Sequence, residues 1–258
     1  MGARQYVKSC VEAGVLRVTI DRPEKRNALS RQVLGELRSA FEAHAGDESL
    51  RLAVLSAAGG KHFAAGGDLK ELNAVRTLEE IAVVADEAHA ALDSIRRFPV
   101  PVVAAVSGDA LGGGSELTVA CDMRVLASHA RIGFIQGRLN LTTAWGGGTD
   151  LMRLLGFGRA LAVLSRAEPV GGAEALTLGL ADAVAPEGED FEQFVERFIE
   201  PMRRQSPLVM RGFKAQALAE RLGMPQTERR RLEAHYFSRS WVHDDHWAVA
   251  EKLLANSK

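Results

Sequence analysis

The stretch Val102-Val103-Ala104-Ala105-Val106-Ser107-Gly108-Asp109-Ala110-Leu111-Gly112-Gly113-Gly114-Ser115-Glu116-Leu117 carries the reading of the fold. Its first five residues form an unbroken apolar run, the pattern of a strand buried on both faces. Glycines then turn the chain into a helix expected to run through Ala120. A strand that ends this way leaves unpaired amide donors at a helix N-terminus, where the helix dipole favours negative charge. A second glycine-bearing segment lies upstream, Phe63-Ala64-Ala65-Gly66-Gly67-Asp68-Leu69-Lys70. Two such donors converging on one oxygen would make an oxyanion hole, often the largest single contribution to acyl chemistry. Taken singly, each string reads better as a tight turn.

Outward from this stretch, short strands alternate with helices. Val15–Ile20 alternates with the strand period, and Asp21-Arg22-Pro23-Glu24-Lys25-Arg26-Asn27 breaks it. Ser30 is placed to cap a helix whose apolar positions are Val33, Leu34, Leu37 and Phe41. Residues 52–55 read as a buried strand. Ile81, Val84, Ala88, Ala91, Leu92 and Ile95 make one stripe of a helix over 78–97, ended by Pro99 and Pro101. Met123–Leu126 reads as a further strand. After Gly146 the pattern is helical, interrupted by a strand-like 179–185 and continuing in amphipathic stretches over 191–204, 208–222, 228–239 and 244–255. The architecture expected is α/β, with a mixed core over 1–200 and a helical region over 201–258.

Composition narrows the function. The chain has 258 residues, 47% hydrophobic and 25% charged, with a formal net charge of −1. That balance is ordinary for a globular protein and gives no electrostatic reason to expect nucleic acid or an anionic membrane as partner. No apolar run approaches the roughly 20 residues that span a bilayer. The N-terminal residues lack the apolar core of a secretory signal, so a cytoplasmic location is expected. Two cysteines, Cys10 and Cys121, make neither a disulfide framework nor a zinc site. His235, His243 and His246, with Asp244 and Asp245, fit no familiar metal-ligand spacing, and no metal is expected.

Several strings now combine. Arg22-Pro23-Glu24-Lys25-Arg26-Asn27-Ala28-Leu29, Phe63-Ala64-Ala65-Gly66-Gly67-Asp68-Leu69, Gly112-Gly113-Gly114-Ser115-Glu116-Leu117 with Cys121-Asp122, Gly146-Gly147-Gly148-Thr149 and Ala173-Glu174-Ala175-Leu176-Thr177-Leu178-Gly179-Leu180 occur in this order. Together they resemble the enoyl-CoA hydratase/isomerase (crotonase) superfamily over nearly the whole chain. The resemblance implies a spiral of ββα units, a C-terminal helical trimerisation region, and self-association as a homotrimer or a hexamer. It implies a coenzyme A thioester as substrate and no separate cofactor. It places the two oxyanion donors on the backbone N–H groups of Gly67 and Gly113. Lys25, Arg26, Ala28 and Leu29, with Ala65, Asp68, Leu69 and Lys70, fall where relatives build the walls of the CoA site. Trp241 and Lys252 fall in C-terminal helices that, in relatives, approach a neighbouring subunit's CoA.

Hydratases of this family use two glutamates, one to activate water and one to handle the α-proton. The first maps onto Glu116, although a carboxylate in a first helical turn also suits the dipole alone. The family pattern Ala-x-x-Gly-x-Pro-Glu aligns with Ala130-Arg131-Ile132-Gly133-Phe134-Ile135-Gln136, so Gln136 stands where the second acid is expected. Glutamine can orient a water or a carbonyl but takes no proton. Arg138 either brings a positive charge to the pocket or points to solvent. Thr143-Ala144-Trp145 replaces a turn that is commonly Leu-Pro-Gly-like, which puts Trp145 near the substrate. Two reactions remain open. One is hydration or dehydration of a 2-enoyl-CoA; the other is decarboxylation of a malonyl-type thioester, for which a neutral Gln136 removes a charge that would repel the substrate's own carboxylate. Acyl-CoA binding without catalysis is the alternative of a different class. Isomerisation is disfavoured, because family isomerases often place their base where Gln136 stands.

Overall fold

From residue 52 to residue 133 successive strands go alternately to two different sheets, and that alternation builds the core. The computed structural model describes residues 4–256. A hairpin of β1 (Val7–Glu12) and β2 (Val15–Ile20) leads to α1 (Arg31–His44). Then come β3 (Leu52–Ala57), β4 (His62–Ala64), α2 (Leu69–Leu72) and α3 (Leu78–Arg96). The next unit is β5 (Val102–Val106), β6 (Asp109–Leu111) and α4 (Gly113–Ala120). A third is β7 (Met123–Leu126), β8 (Arg131–Gly133), a 3-10 turn at Gln136–Leu139, α5 (Gly147–Leu155) and α6 (Phe157–Arg166). The short strands β9 (Val170–Gly171) and β10 (Ala183–Val184) flank α7 (Gly172–Leu178), and α8 (Phe191–Arg203), α9 (Pro207–Arg221), α10 (Gln226–Trp241) and α11 (Asp244–Asn256) finish the chain.

The first strand of each ββα unit enters a six-stranded sheet, β1-β2-β3-β5-β7-β10, and the second a four-stranded one, β4-β6-β8-β9. Pairing is parallel except at β1 against β2 and at β8 against β9. This is the expected spiral of ββα units.

The unbroken apolar run of β5 now has its reason. Val102, Ala104 and Val106 face the main core with α1 and α3, while Val103 and Ala105 face a second core closed by Val195 and Ile199 of α8. Helix α1 starts where Ser30 Oγ accepts the Val33 N–H at 3.3 Å, and it buries Val33, Leu34, Leu37 and Phe41. Phe41 meets Phe98 edge to face. In α3 the buried stripe begins at Val84; the first turns run clear of the core, and Ile81, expected inside, is 45% exposed. The strand-like 179–185 shrinks to Ala183–Val184, because Gly179 (φ +80°) ends α7 in the left-handed region. Residue 200 lies inside α8 rather than at an element boundary.

Buried charges tie the C-terminal helices to the core. The Lys214 ammonium of α9, 3% exposed, contacts both Asp122 oxygens at 2.7 and 2.6 Å, and Asp122 Oδ2 also accepts the Val102 N–H at 2.8 Å. Burial pushes the Lys214 ammonium below the usual lysine range, and Asp122 opposes that shift. Arg221 donates to the carbonyls of Ala120 (2.8 Å) and Val119 (2.9 Å), satisfying the C-terminus of α4. Lys214→Met strands the Asp122 carboxylate, and a loss of roughly 3 kcal/mol is expected in chemical denaturation. The double variant with Asp122→Asn is expected to lose less than the sum of the two single changes.

Candidate active site

Helix α4 positions the candidate site because its first turn lies hard against β4. A methyl group on Gly114 would collide with the Ala64 carbonyl, so only glycine permits this approach. Gly66 (φ +98°) sits over the same junction: a Cβ there would lie 3.0 Å from the Leu111 carbonyl oxygen and 3.5 Å from the Gly113 nitrogen. The two glycine segments therefore touch. Among the described residues, neither the Gly67 N–H nor the Gly113 N–H has a protein acceptor. The Gly113 amide begins α4, so it also carries the positive end of that helix's dipole.

Glu116, 2% exposed, projects from the first turn of α4 into the turn that precedes α5. Its Oε2 accepts the N–H groups of Trp145 and Gly147, both at 2.9 Å. Its Oε1 accepts Gln136 Nε2 at 3.0 Å and, more weakly, the Ala144 N–H at 3.4 Å. Four N–H donors thus surround one carboxylate, matching its approximate complement of lone-pair sites. The contact also fixes the Gln136 amide, since the reverse orientation would set its oxygen against the carboxylate. Gln136 Oε1 is left buried without a partner, an acceptor on offer.

Trp145 is buried, and its indole lies against both glycines. Atoms Cζ2 and Cη2 are 3.6 and 3.7 Å from the point a Gly67 Cβ would occupy, and a Cβ on Gly113 would collide with the same ring. Arg96, buried at the end of α3, holds this turn from behind: Nη2 donates to the Trp145 carbonyl and Nε to Asp150 Oδ2, both at 2.7 Å. Sequence reading missed Arg96 and Asp150. The available signal was spacing, since Arg96 falls four residues after Leu92 on the buried stripe of α3.

The turn at 22–29 and the segment at 65–70 form one wall. Leu29 N–H donates to the Gly66 carbonyl at 2.8 Å, and Asp68 N–H to the Leu29 carbonyl at 3.3 Å. Buried Asn27 donates to the Ala58 and His62 carbonyls at 2.9 and 2.7 Å, and the Arg26 carbonyl accepts the Ala65 N–H at 3.1 Å. Leu29 is buried, Ala28 and Ala65 are partly covered, and Lys25, Arg26, Leu69 and Lys70 are exposed. Arg138 does not enter the site. Its side chain is exposed, and Nε donates to the Ala167 carbonyl at 2.7 Å, because the 3-10 turn that aims Gln136 inward carries Arg138 outward. Trp241 lines a cavity of about 700 Å³ between α9, α10 and α11, to which Glu116 does not contribute. His243 contacts Asp245, and among the described residues no group of three or more His, Cys, Asp or Glu side chains could hold a metal ion.

This scaffold is that of the crotonase fold. The family model described as enoyl-CoA hydratase/isomerase matches residues 11–253, and the chain belongs to that family. It is 34% identical over 209 residues to an enoyl-CoA isomerase/hydratase of Mycosarcoma maydis, covering 78% of this chain and 76% of that protein. It is 31% identical to a probable enoyl-CoA hydratase of Bacillus subtilis, covering 78% and 77%. The solved structure of an enoyl-CoA hydratase from Bacillus anthracis superposes with a TM-score of 0.90 at 26% identity, covering 98% of this chain and 97% of that one. Among the described residues no helix is long and apolar enough to cross a membrane.

Asp68 links the wall to the glycine segment. It accepts Arg22 Nη1 at 2.7 Å and caps α2 through the Lys70 and Glu71 N–H groups. The hydrogen bond from Arg22, joined by its charge, holds the Asp68 carboxyl below the usual carboxylate range. Its contribution is therefore complete above the unfolded value of about 3.9 and fades as pH falls through the lower folded value. Asp68→Asn is expected to cost about 1–2 kcal/mol at neutral pH. In urea denaturation, the gap from the parent should close as the solution is acidified through that window.

Proposed function

We propose that this protein acts on a coenzyme A thioester by stabilising its enolate, and that its reaction is hydration of a 2-enoyl-CoA or the reverse dehydration. The observation that carries this reading is the buried Glu116 carboxylate beside the unpartnered Gln136 oxygen, in a site where two glycine amides lack acceptors. The thioester oxygen accepts the N–H groups of Gly67 and Gly113. As a water oxygen bonds to C3, Glu116 takes the water's proton and the π electrons move to the thioester oxygen, where the two fixed dipoles hold the charge. The enolate then collapses and C2 takes the proton back from Glu116, so H and OH have been added across the double bond. Gln136 holds the water through its free oxygen. Its amide releases Glu116 as substrate enters, which opens one lone pair for the proton.

The wall of residues 22–29 and 65–70 receives the CoA moiety. The C-terminal helices serve self-association as a trimer or a pair of trimers, and the site of action is the cytoplasm. The substrate is the one small-molecule partner this reading needs, and no cofactor takes part.

A second reading rests on the neutral Gln136. Loss of carbon dioxide from a malonyl-type thioester leaves its bonding electrons in the same enolate, and C2 then needs one proton, which a single acid supplies. Crotonyl-, methylmalonyl- and ethylmalonyl-CoA, followed by mass spectrometry, separate the two readings. Gain of water from crotonyl-CoA supports the first, and loss of carbon dioxide from either malonyl thioester replaces it with the second. Binding without turnover of any of the three removes catalysis altogether.

Glu116→Gln is expected to lower kcat by roughly a hundred- to ten-thousand-fold. Affinity for CoA should change little, because the hydrogen bonds of the Glu116 carboxylate go to residues 136, 144, 145 and 147 and not to the 22–29 wall. An unchanged kcat would take Glu116 out of the mechanism.

A further inference from the structure

A ring that covers both candidate oxyanion glycines also sets what can follow the carbonyl. Trp145 is 8% exposed, and the six-membered edge of its indole lies against the Cβ positions of both glycines, Cζ3 and Cη2 at Gly113 and Cζ2 and Cη2 at Gly67. Leu72 Cδ1 of α2 stands 3.2 Å from the same Gly67 Cβ position and extends the apolar surface. We propose that the Trp145 indole is the end wall of the acyl pocket and restricts this protein to short-chain acyl thioesters. This inference rests on the thioester reading above. An acyl chain whose carbonyl is held between residues 67 and 113 begins against the indole, and added methylenes collide with it.

The wall cannot retreat by moving its backbone. The Ala144, Trp145 and Gly147 N–H groups are spent on Glu116, and the Trp145 carbonyl is spent on Arg96. Arg96 is itself locked to Asp150, and it fills the space that a side chain at Gly146 would need. Only rotation of the indole itself would lengthen the pocket, and that rotation would give up its packing on both glycines. One methylene in a pocket of fixed size changes discrimination by about 10-fold or more.

The test is calorimetric binding of butyryl-, hexanoyl- and octanoyl-CoA, which have no double bond and report affinity apart from any reaction. The full chain is compared with Trp145→Ala and with Trp145→Phe, the latter keeping an aromatic filler in case the alanine form folds poorly. Affinity of the parent is expected to fall by about tenfold or more from butyryl to octanoyl. Trp145→Phe should reduce that fall, and Trp145→Ala should abolish it. A flat series in the parent, or the same fall in both variants, overturns the wall while leaving the thioester reading intact. Failure of the parent to bind any acyl-CoA overturns the thioester reading itself, and the wall with it.

Discussion

The constraint on which the site depends is that a buried carboxylate must find donors. Glu116 has almost no access to water, so its oxygens are satisfied by the protein. The donors come from the main chain at 144, 145 and 147 and from the side chain of Gln136. Through those bonds, the helix that starts at Gly113, the 3-10 turn after β8 and the loop leading into α5 hold one another in register. The position of Trp145 then follows from a backbone already fixed by Glu116 in front and Arg96 behind.

A second constraint is the close approach of backbone to backbone. Helix α4 sits on β4 because Gly114 carries no side chain, and this brings the two glycine segments together. The ββα arrangement makes that approach possible, since β4 and β6 pair in parallel in the smaller sheet and the two glycine segments follow them. Behind α4, Arg221 and the Lys214–Asp122 pair link the C-terminal helices to the carboxyl end of the same helix. The helix carrying Glu116 is thus held at both ends.

Much of this was legible because it depends on local chemistry. Ser30 as a cap, the periodic apolar positions of α1 and most of α3, and the continuous run of β5 each express one rule of spacing. What escaped was either very short or long-range. Strands β6 and β9 have too few residues to show a period, and β1 carries a mostly exposed pattern at a sheet edge. Arg138 and Gln136 are two residues apart, yet the tight turn between them sends one inward and the other out, which linear spacing does not disclose. Arg96 and Asp150 lie far apart in sequence, and only the fold makes them partners. The glycine strings and Glu116 were recognisable from their order along the chain, whereas the four donors around the carboxylate were not.

Because residue 145 contributes to the Glu116 cluster only through its peptide group, its side chain is decoupled from the electrostatics it adjoins. An exchange at this codon that leaves the loop conformation unchanged can redraw the contour of the cavity while the wiring of the carboxylate persists. Divergence in ligand size within such a scaffold therefore requires no reinvention of its reactive groups.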